Sequence, residues 1–209
     1  MTNAKRLQLF AWALSLSVVM IAVIAWGNSI RWKLGLLSPI IVFPLLGLVA
    51  FSLMWSHYIV SVVRKYFKID KSTLKQYIEI TGFVVLVAIF LHPGLLIYAL
   101  FKEGFGLPPG SVINHYVAPG AAWAALLGTI SFFVFLSYEL RRRYYKTSWW
   151  KYVAIATDTA MLAILIHSLK LGSLLQSGWL RYVWYFYGIT LVMSLGYIYF
   201  QRYKKHRTF

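Results

Sequence analysis

Three ionisable residues lie within long apolar stretches of the sequence, where a polar side chain is costly to bury. They are His92, His167 and Asp158, and an ionisable residue inside a membrane commonly belongs to a functional site. A neutral imidazole tolerates burial and can ligate a metal through one ring nitrogen. A buried carboxylate can relay protons, bind a quinone or flavin, or neutralise an arginine. These residues therefore define the chemistry to be tested.

The composition shows that these residues are held in a membrane. The chain has 209 residues, of which 60% are hydrophobic and 12% charged, with a mean hydropathy of +0.68. A soluble domain carries about 25% charged residues, so a soluble domain and a disordered chain are both excluded. The sequence contains no cysteine, which excludes disulfides, thiolate metal sites and Cys-ligated iron–sulfur clusters.

Six continuous apolar runs are each long enough to cross a bilayer, which takes about 20 residues. The predicted fold is therefore all-α: a polytopic membrane protein with a six-transmembrane-helix bundle as the single domain of residues 1–209. Gly120, Ala124 and Gly128 recur every four residues in the fourth run, a spacing typical of close helix packing. The predicted spans are 7–26, 37–60, 80–101, 117–138, 152–169 and 180–200.

The basic residues predict the orientation of this bundle. Lys and Arg number 21 against 5 Asp and Glu, and the six spans place 16 of the 21 bases on one side of the membrane. The positive-inside rule then puts both termini in the cytoplasm. We interpret the charge as a topology signal and expect no nucleic-acid partner. Because no organelle-targeting segment is recognisable, we expect a multi-pass protein of the cell (plasma) membrane.

The two membrane histidines are predicted to lie at a similar depth. His92 is 14 residues into the third span, about 21 Å, and His167 is 17 residues into the fifth, about 25 Å. Both spans run outward, so both imidazoles fall in the outer half of the bilayer. Two histidines on different helices can supply the two axial ligands of a haem. Each is also compatible with a hydrogen-bonded packing role, whereas a divalent metal would need further ligands.

A second candidate site lies in the inner half of the membrane. Asp158 is flanked by Thr157 and Thr159, and His57 lies near the cytoplasmic end of the second span. We predict that Asp158 and His57 form an inner flavin, quinone or proton site, and a His57–Asp158 pair is one form of it. The alternative is that Asp158 simply pairs with a neighbouring base or hydroxyl.

Three stretches of the sequence resemble the ferric-reductase-like transmembrane domain family. Gly82 precedes His92 by ten residues, a basic and aromatic turn occupies 141–150, and His167 follows Trp150 by 17 residues. In size the chain is similar to the MsrQ/YedZ-type haem-binding membrane subunit of the bacterial methionine sulfoxide reductase system. That family has six helices, with haem-ligating histidines on the third and fifth.

The resemblance implies a single-haem variant. Family members with two haems carry a second histidine 13 or 14 residues earlier on each of these helices. The resemblance therefore implies one haem b, with His92 and His167 as axial ligands of the haem iron, near the outer face. The residues at the earlier positions are Ile78, Glu79, Val153 and Ala154.

The function implied by the resemblance is electron transport across the membrane to an outer-face acceptor. The chain would then be an oxidoreductase membrane subunit, and no catalytic residue can be assigned. Because the loops leave no room for a dinucleotide-binding domain, the donor is expected to be a separate flavoprotein or quinol, and the acceptor can be a redox partner protein. Two other functions remain open: a proton-coupled transporter, and a cofactor-free structural subunit of a larger complex.

Overall fold

The computed structural model describes residues 2–139 and 150–207, and the regular secondary structure within them is entirely helical. Six of the described helices are long, and a short helix α4 lies in the loop after α3. The helices are α1 (Asn3–Ser29), α2 (Pro39–Tyr66), α3 (Lys75–Lys102), α4 (Gly110–His115), α5 (Ala122–Glu139), α6 (Trp150–Leu171) and α7 (Trp179–Arg207).

Five segments of the described residues are long and apolar enough to cross a membrane. They belong to α1, α2, α3, α6 and α7, while the apolar helix Ala122–Ser137, part of α5, is shorter. Large apolar side chains also face outward, for example Leu16, Phe83, Phe133 and Ile189, which are each 62–67% exposed. Exposed apolar surface on this scale suits contact with lipid. The chain is thus an all-helical protein with the properties of a membrane protein.

The fourth predicted span begins later than hydropathy indicated. It was expected from residue 117, but the helix begins at Ala122. Pro119 and Gly120 form a turn before it, and Gly120 has a φ of +77°, in the left-handed region that glycine adopts readily. Gly120 therefore lies outside the helix, and the predicted small-residue face of α5 retains only Ala124 and Gly128.

The helices pack as two antiparallel pairs, joined by α7. The α2–α3 pair and the α5–α6 pair are in close contact, α1 packs on α2, and α7 contacts both α2 and α6. Interhelical bonds give the directions: Ala124 of α5 lies opposite His167 of α6, and Ser131 lies opposite Ala160. Since the numbering rises along one helix as it falls along the other, α5 and α6 run antiparallel.

Aromatic side chains form the centre of the bundle. The ring centroids of Trp55 and Tyr187 are 4.2 Å apart, and those of Phe51 and Trp184 are 5.2 Å apart. The Trp184 indole donates to Ser168 Oγ at 2.9 Å, so its buried N–H is satisfied. This core fixes α7 against α2 and α6, and so sets the frame that carries the candidate site.

Candidate functional site

The imidazole of His92 is held by the backbone of α2. Its Nδ1 lies 2.7 Å from the carbonyl oxygen of Phe43. A carbonyl oxygen can only accept a hydrogen bond, so Nδ1 is the donor and carries the proton. The ring also lies directly against Gly47, where an added Cβ would be 2.7 Å from His92 Cε1. The backbone of one helix therefore fixes both the tautomer and the position of this ring.

The imidazole of His167 is held in the same way by α5. Its Nδ1 donates to the carbonyl oxygen of Ala124 at 2.8 Å, and the ring lies against Gly128. A Cβ at Gly128 would be 2.6 Å from His167 Cε1. The acceptor and the glycine are again four residues apart, as Phe43 and Gly47 are on α2.

We call each pair of a carbonyl acceptor and a glycine, Phe43 with Gly47 and Ala124 with Gly128, a histidine seat. Each seat leaves one nitrogen of its imidazole available as a ligand. With Nδ1 protonated on a neutral imidazole, Nε2 keeps its lone pair. The structure gives neither Nε2 atom a hydrogen-bond partner among the described residues. A histidine that ligates a metal commonly donates its other N–H to a backbone carbonyl or carboxylate, which fixes its orientation. Both rings are half-buried.

An apolar groove of about 210 Å³ lies between α2 and α3. Ala88 is one helical turn before His92, and Leu46 precedes Gly47. Phe83 and Val84 in its lining are 67% and 42% exposed, so the groove opens outward, and His92 is not among the residues that line it. The lining residues are Leu46, Val49, Phe83, Val84, Val87 and Ala88.

The number of ligating side chains near each histidine limits which metal groups the described residues could hold. Within residues 2–139 and 150–207 no three His, Asp or Glu side chains are grouped closely enough to hold a metal ion. A protein-bound zinc ion takes three or four such ligands. A haem iron, in contrast, receives four ligands from the macrocycle and needs only axial ones from the protein. Two imidazoles with free Nε2 atoms fit that requirement.

The carboxylate of Asp158 is bound by two tyrosines from neighbouring helices. Tyr58 of α2 donates to Oδ1 at 2.7 Å, and Tyr199 of α7 donates to Oδ2 at 2.8 Å. The guanidinium of Arg202 lies over the Tyr199 ring, 5.1 Å from its centroid. Asp158 therefore ties α2, α6 and α7 together.

His57 has a different partner from Asp158. Its Nε2 lies 2.6 Å from Thr81 Oγ1, and the Thr81 hydroxyl donates its proton to the carbonyl oxygen of Tyr77 at 2.7 Å. Since a hydroxyl has one proton to donate, Nε2 of His57 is the donor to Thr81. The predicted inner residues are thus placed in two separate networks, one between α2 and α3 and one among α2, α6 and α7.

Sequence reasoning found the two histidines but missed what holds them. Gly47 is a single glycine in an apolar span, which carries no distinctive signal. Gly128 was noticed as part of a small-residue repeat, and its role is to make room for the His167 ring rather than for another helix backbone. The carbonyl acceptors have no side-chain signature, so only the fold reveals them.

Comparison with protein-family models, with curated proteins and with solved structures found no match to this chain.

Proposed function

We propose that this chain is a haem b-binding integral membrane protein that moves electrons across the membrane to an acceptor at the outer face. The observation that carries the proposal is the pair of imidazoles that donate from Nδ1 to backbone carbonyls and leave both Nε2 atoms free. His92 and His167 would hold the haem iron through their Nε2 atoms. The resemblance to ferric-reductase-like membrane domains supports the same assignment.

A bound haem would supply a reversible one-electron iron couple. The protein would supply the imidazoles of His92 and His167 as ligands, each held by a backbone carbonyl at Nδ1. The apolar residues beside His92 exclude water, and the carbonyl bonds at Nδ1 increase the basicity of each imidazole. These features tune a redox centre and contribute no acid or base to a reaction.

The proposed topology has six spans with both termini in the cytoplasm. The described part of α5 runs antiparallel beside α6, and α6 is long enough to span. If α5 crosses as well, 16 of the 21 bases lie on one side. If it does not cross, the two sides carry 9 and 12 bases, and the asymmetry that is general in membrane proteins disappears. The charge distribution therefore favours a crossing by α5.

In this topology the donor side is the inner face. A separate flavoprotein or quinol would deliver electrons there, close to the Asp158 and His57 networks. Because two tyrosine hydroxyls already occupy the Asp158 carboxylate, a flavin or quinone at this end would meet the tyrosines and the neighbouring bases. An outer-face redox partner or metal ion would receive the electrons. The cell membrane is the proposed location.

The test is the absorption spectrum of the protein purified in detergent after expression with added haem precursor. We expect a Soret band, with α and β bands that appear on reduction by dithionite. His92→Ala and His167→Ala should each lose them. The matched control is His115→Ala, because His115 is an exposed histidine that stacks on Phe105. This control should keep the wild-type spectrum.

Two results would contradict the proposal. A colourless wild-type preparation would exclude a resident haem. A pigment that survives both His92→Ala and His167→Ala would mean that other residues ligate it. Proton flux in liposomes that is abolished by Asp158→Asn, in a colourless protein, would instead favour a transporter.

A further inference from the structure

Each candidate haem ligand lies against a glycine whose position is tied to the ligand's own hydrogen bond. From this geometry we infer that Gly47 and Gly128 are positioning residues, which set how far Nε2 of His92 and His167 extends from the neighbouring helix. The inference rests on the proposed haem function for its consequences. The packing it describes belongs to the protein alone and can be measured without a cofactor.

The need for glycine follows from helix geometry. In an α-helix the carbonyl of residue n bonds the N–H of residue n+4, so a side chain that also donates to this carbonyl must lie beside residue n+4. Phe43 and Gly47 on α2 have this spacing, and so do Ala124 and Gly128 on α5. A mid-helix carbonyl can therefore orient an imidazole only if residue n+4 leaves room for the ring.

The room is filled completely by the imidazole in both seats. The three atoms nearest to a Cβ at Gly47 all belong to the His92 ring: Cε1 at 2.7 Å, Nδ1 at 2.9 Å and Nε2 at 3.3 Å. At Gly128 the corresponding His167 distances are 2.6, 2.6 and 3.2 Å. The closest contacts of an added methyl would therefore be with the histidine ring in both cases.

The displacement that alanine would cause is large compared with the tolerance of a metal–ligand bond. Ordinary van der Waals contact begins at 3.4 Å, so a ring atom at 2.7 Å must retreat by about 0.7 Å. Metal–ligand distances are held to within about 0.2 Å. The ring cannot swing aside freely, because its Nδ1–H is bonded to the same helix face. Alanine would therefore stretch that bond and displace Nε2.

The experiment compares Gly47→Ala and Gly128→Ala with two control substitutions, Gly94→Ala and Gly196→Ala. Gly94 lies in α3 and Gly196 in α7, and a Cβ at either would meet nothing within 4 Å. Alanine in a helix is intrinsically favoured over glycine. A loss seen only at positions 47 and 128 therefore cannot come from helix propensity. Haem affinity, spin state and carbon monoxide binding are measured for all four variants.

We expect Gly47→Ala and Gly128→Ala each to lower haem affinity by about tenfold or more, the usual scale for disturbing the groups that orient a ligand. The haem that remains should show a high-spin, carbon monoxide-binding fraction, which the wild type and both controls lack. If all four variants keep wild-type affinity and remain low-spin, the inference is overturned while the haem assignment stands.

A second measurement tests the packing in the apoprotein. Gly47→Ala should lower the denaturant midpoint of unfolding when His92 is present, and should not lower it when His92 is replaced by alanine. Gly128→Ala and His167→Ala should show the same dependence. Equal effects of Gly47→Ala in both backgrounds would overturn the inference. This result is independent of haem, so it separates failure of the inference from failure of the proposed function.

Discussion

The Asp158 network allows a quantitative prediction about how the inner half of the bundle is held together. Asp158 accepts one hydrogen bond from Tyr58 and one from Tyr199, through different carboxylate oxygens. Asp158→Asn replaces one of these oxygens by a donor group and removes the negative charge of the carboxylate. We predict that Asp158→Asn lowers the free energy of unfolding, and that each tyrosine contributes separately to the loss.

The magnitude follows from the environment of each bond. Hydrogen bonds between membrane helices average about 0.6 kcal/mol and reach about 1.7 kcal/mol, whereas bonds to charged groups in proteins contribute about 1.5–3 kcal/mol. Tyr199 is 37% exposed, so we expect its coupling to Asp158 to be near 0.6 kcal/mol. Tyr58 is half-buried, and its coupling should approach about 1.7 kcal/mol.

The assay is a pair of double-mutant cycles, Asp158→Asn with Tyr58→Phe and Asp158→Asn with Tyr199→Phe. Unfolding is followed by SDS titration in mixed micelles, with Tyr98→Phe as the control because Tyr98 is 53% exposed. The control should be additive with Asp158→Asn. Couplings below about 0.3 kcal/mol in both cycles, which is the scatter for independent sites, would refute the assignment of Asp158 as an interhelical tie.

Three further predictions test other parts of the molecule. Trp184→Phe and Ser168→Ala should be non-additive by about 0.6 kcal/mol in unfolding, because each removes the same indole–hydroxyl bond; additive losses would contradict this. The hydroxyl and the backbone N–H of Ser72 hold the pKa of Asp70 below its usual value. The resulting stabilisation is therefore fully present above the usual pKa of an aspartate, and it is lost as the pH falls through the lower pKa of the folded state. Ser72→Ala should raise the pKa of Asp70 in an NMR titration, and an unchanged pKa would count against the contact. His57→Ala should leave the haem spectrum intact, since His57 is bonded to α3 through Nε2, and loss of the pigment would show that His57 serves the haem site.

Hydropathy predicted the helices well because burial in lipid demands long apolar runs, but it predicted their ends poorly. The helix α2 continues from the predicted residue 60 to Tyr66, since the backbone bonds of a helix need no apolar side chains once it leaves the hydrocarbon. The opposite error occurs before α5. Val117 and Ala118 are apolar, yet the turn at Gly120 separates them from the helix.

The inner residues show why partners are harder to predict than sites. His57 and Tyr58 are adjacent in sequence, and neighbouring residues of a helix point about 100° apart. Tyr58 therefore reaches Asp158 between α6 and α7, while His57 faces Thr81 on α3. A pairing of His57 with Asp158 was reasonable from depth alone. The depth of a residue in the membrane can be estimated from the sequence. The partner that its side chain faces depends on which helices lie next to its own, and the sequence does not show that.

The buried histidines of this chain differ in the nitrogen that they leave free, and this difference separates ligand candidates from packing residues. His57 uses Nε2 to bond Thr81, so its remaining lone pair is on Nδ1, next to its own backbone, where a macrocycle has little access. His92 and His167 use Nδ1 and present Nε2, the outermost atom of the ring. The position of the acceptor decides which nitrogen carries the proton. The Thr81 hydroxyl lies within reach of Nε2 at the outer end of the His57 ring, whereas the backbone carbonyls lie beside Nδ1 of His92 and His167. Depth predicted His92 and His167 as a pair and placed His57 in the inner half, and the acceptor geometry adds that only His92 and His167 present Nε2 beside a glycine of the neighbouring helix.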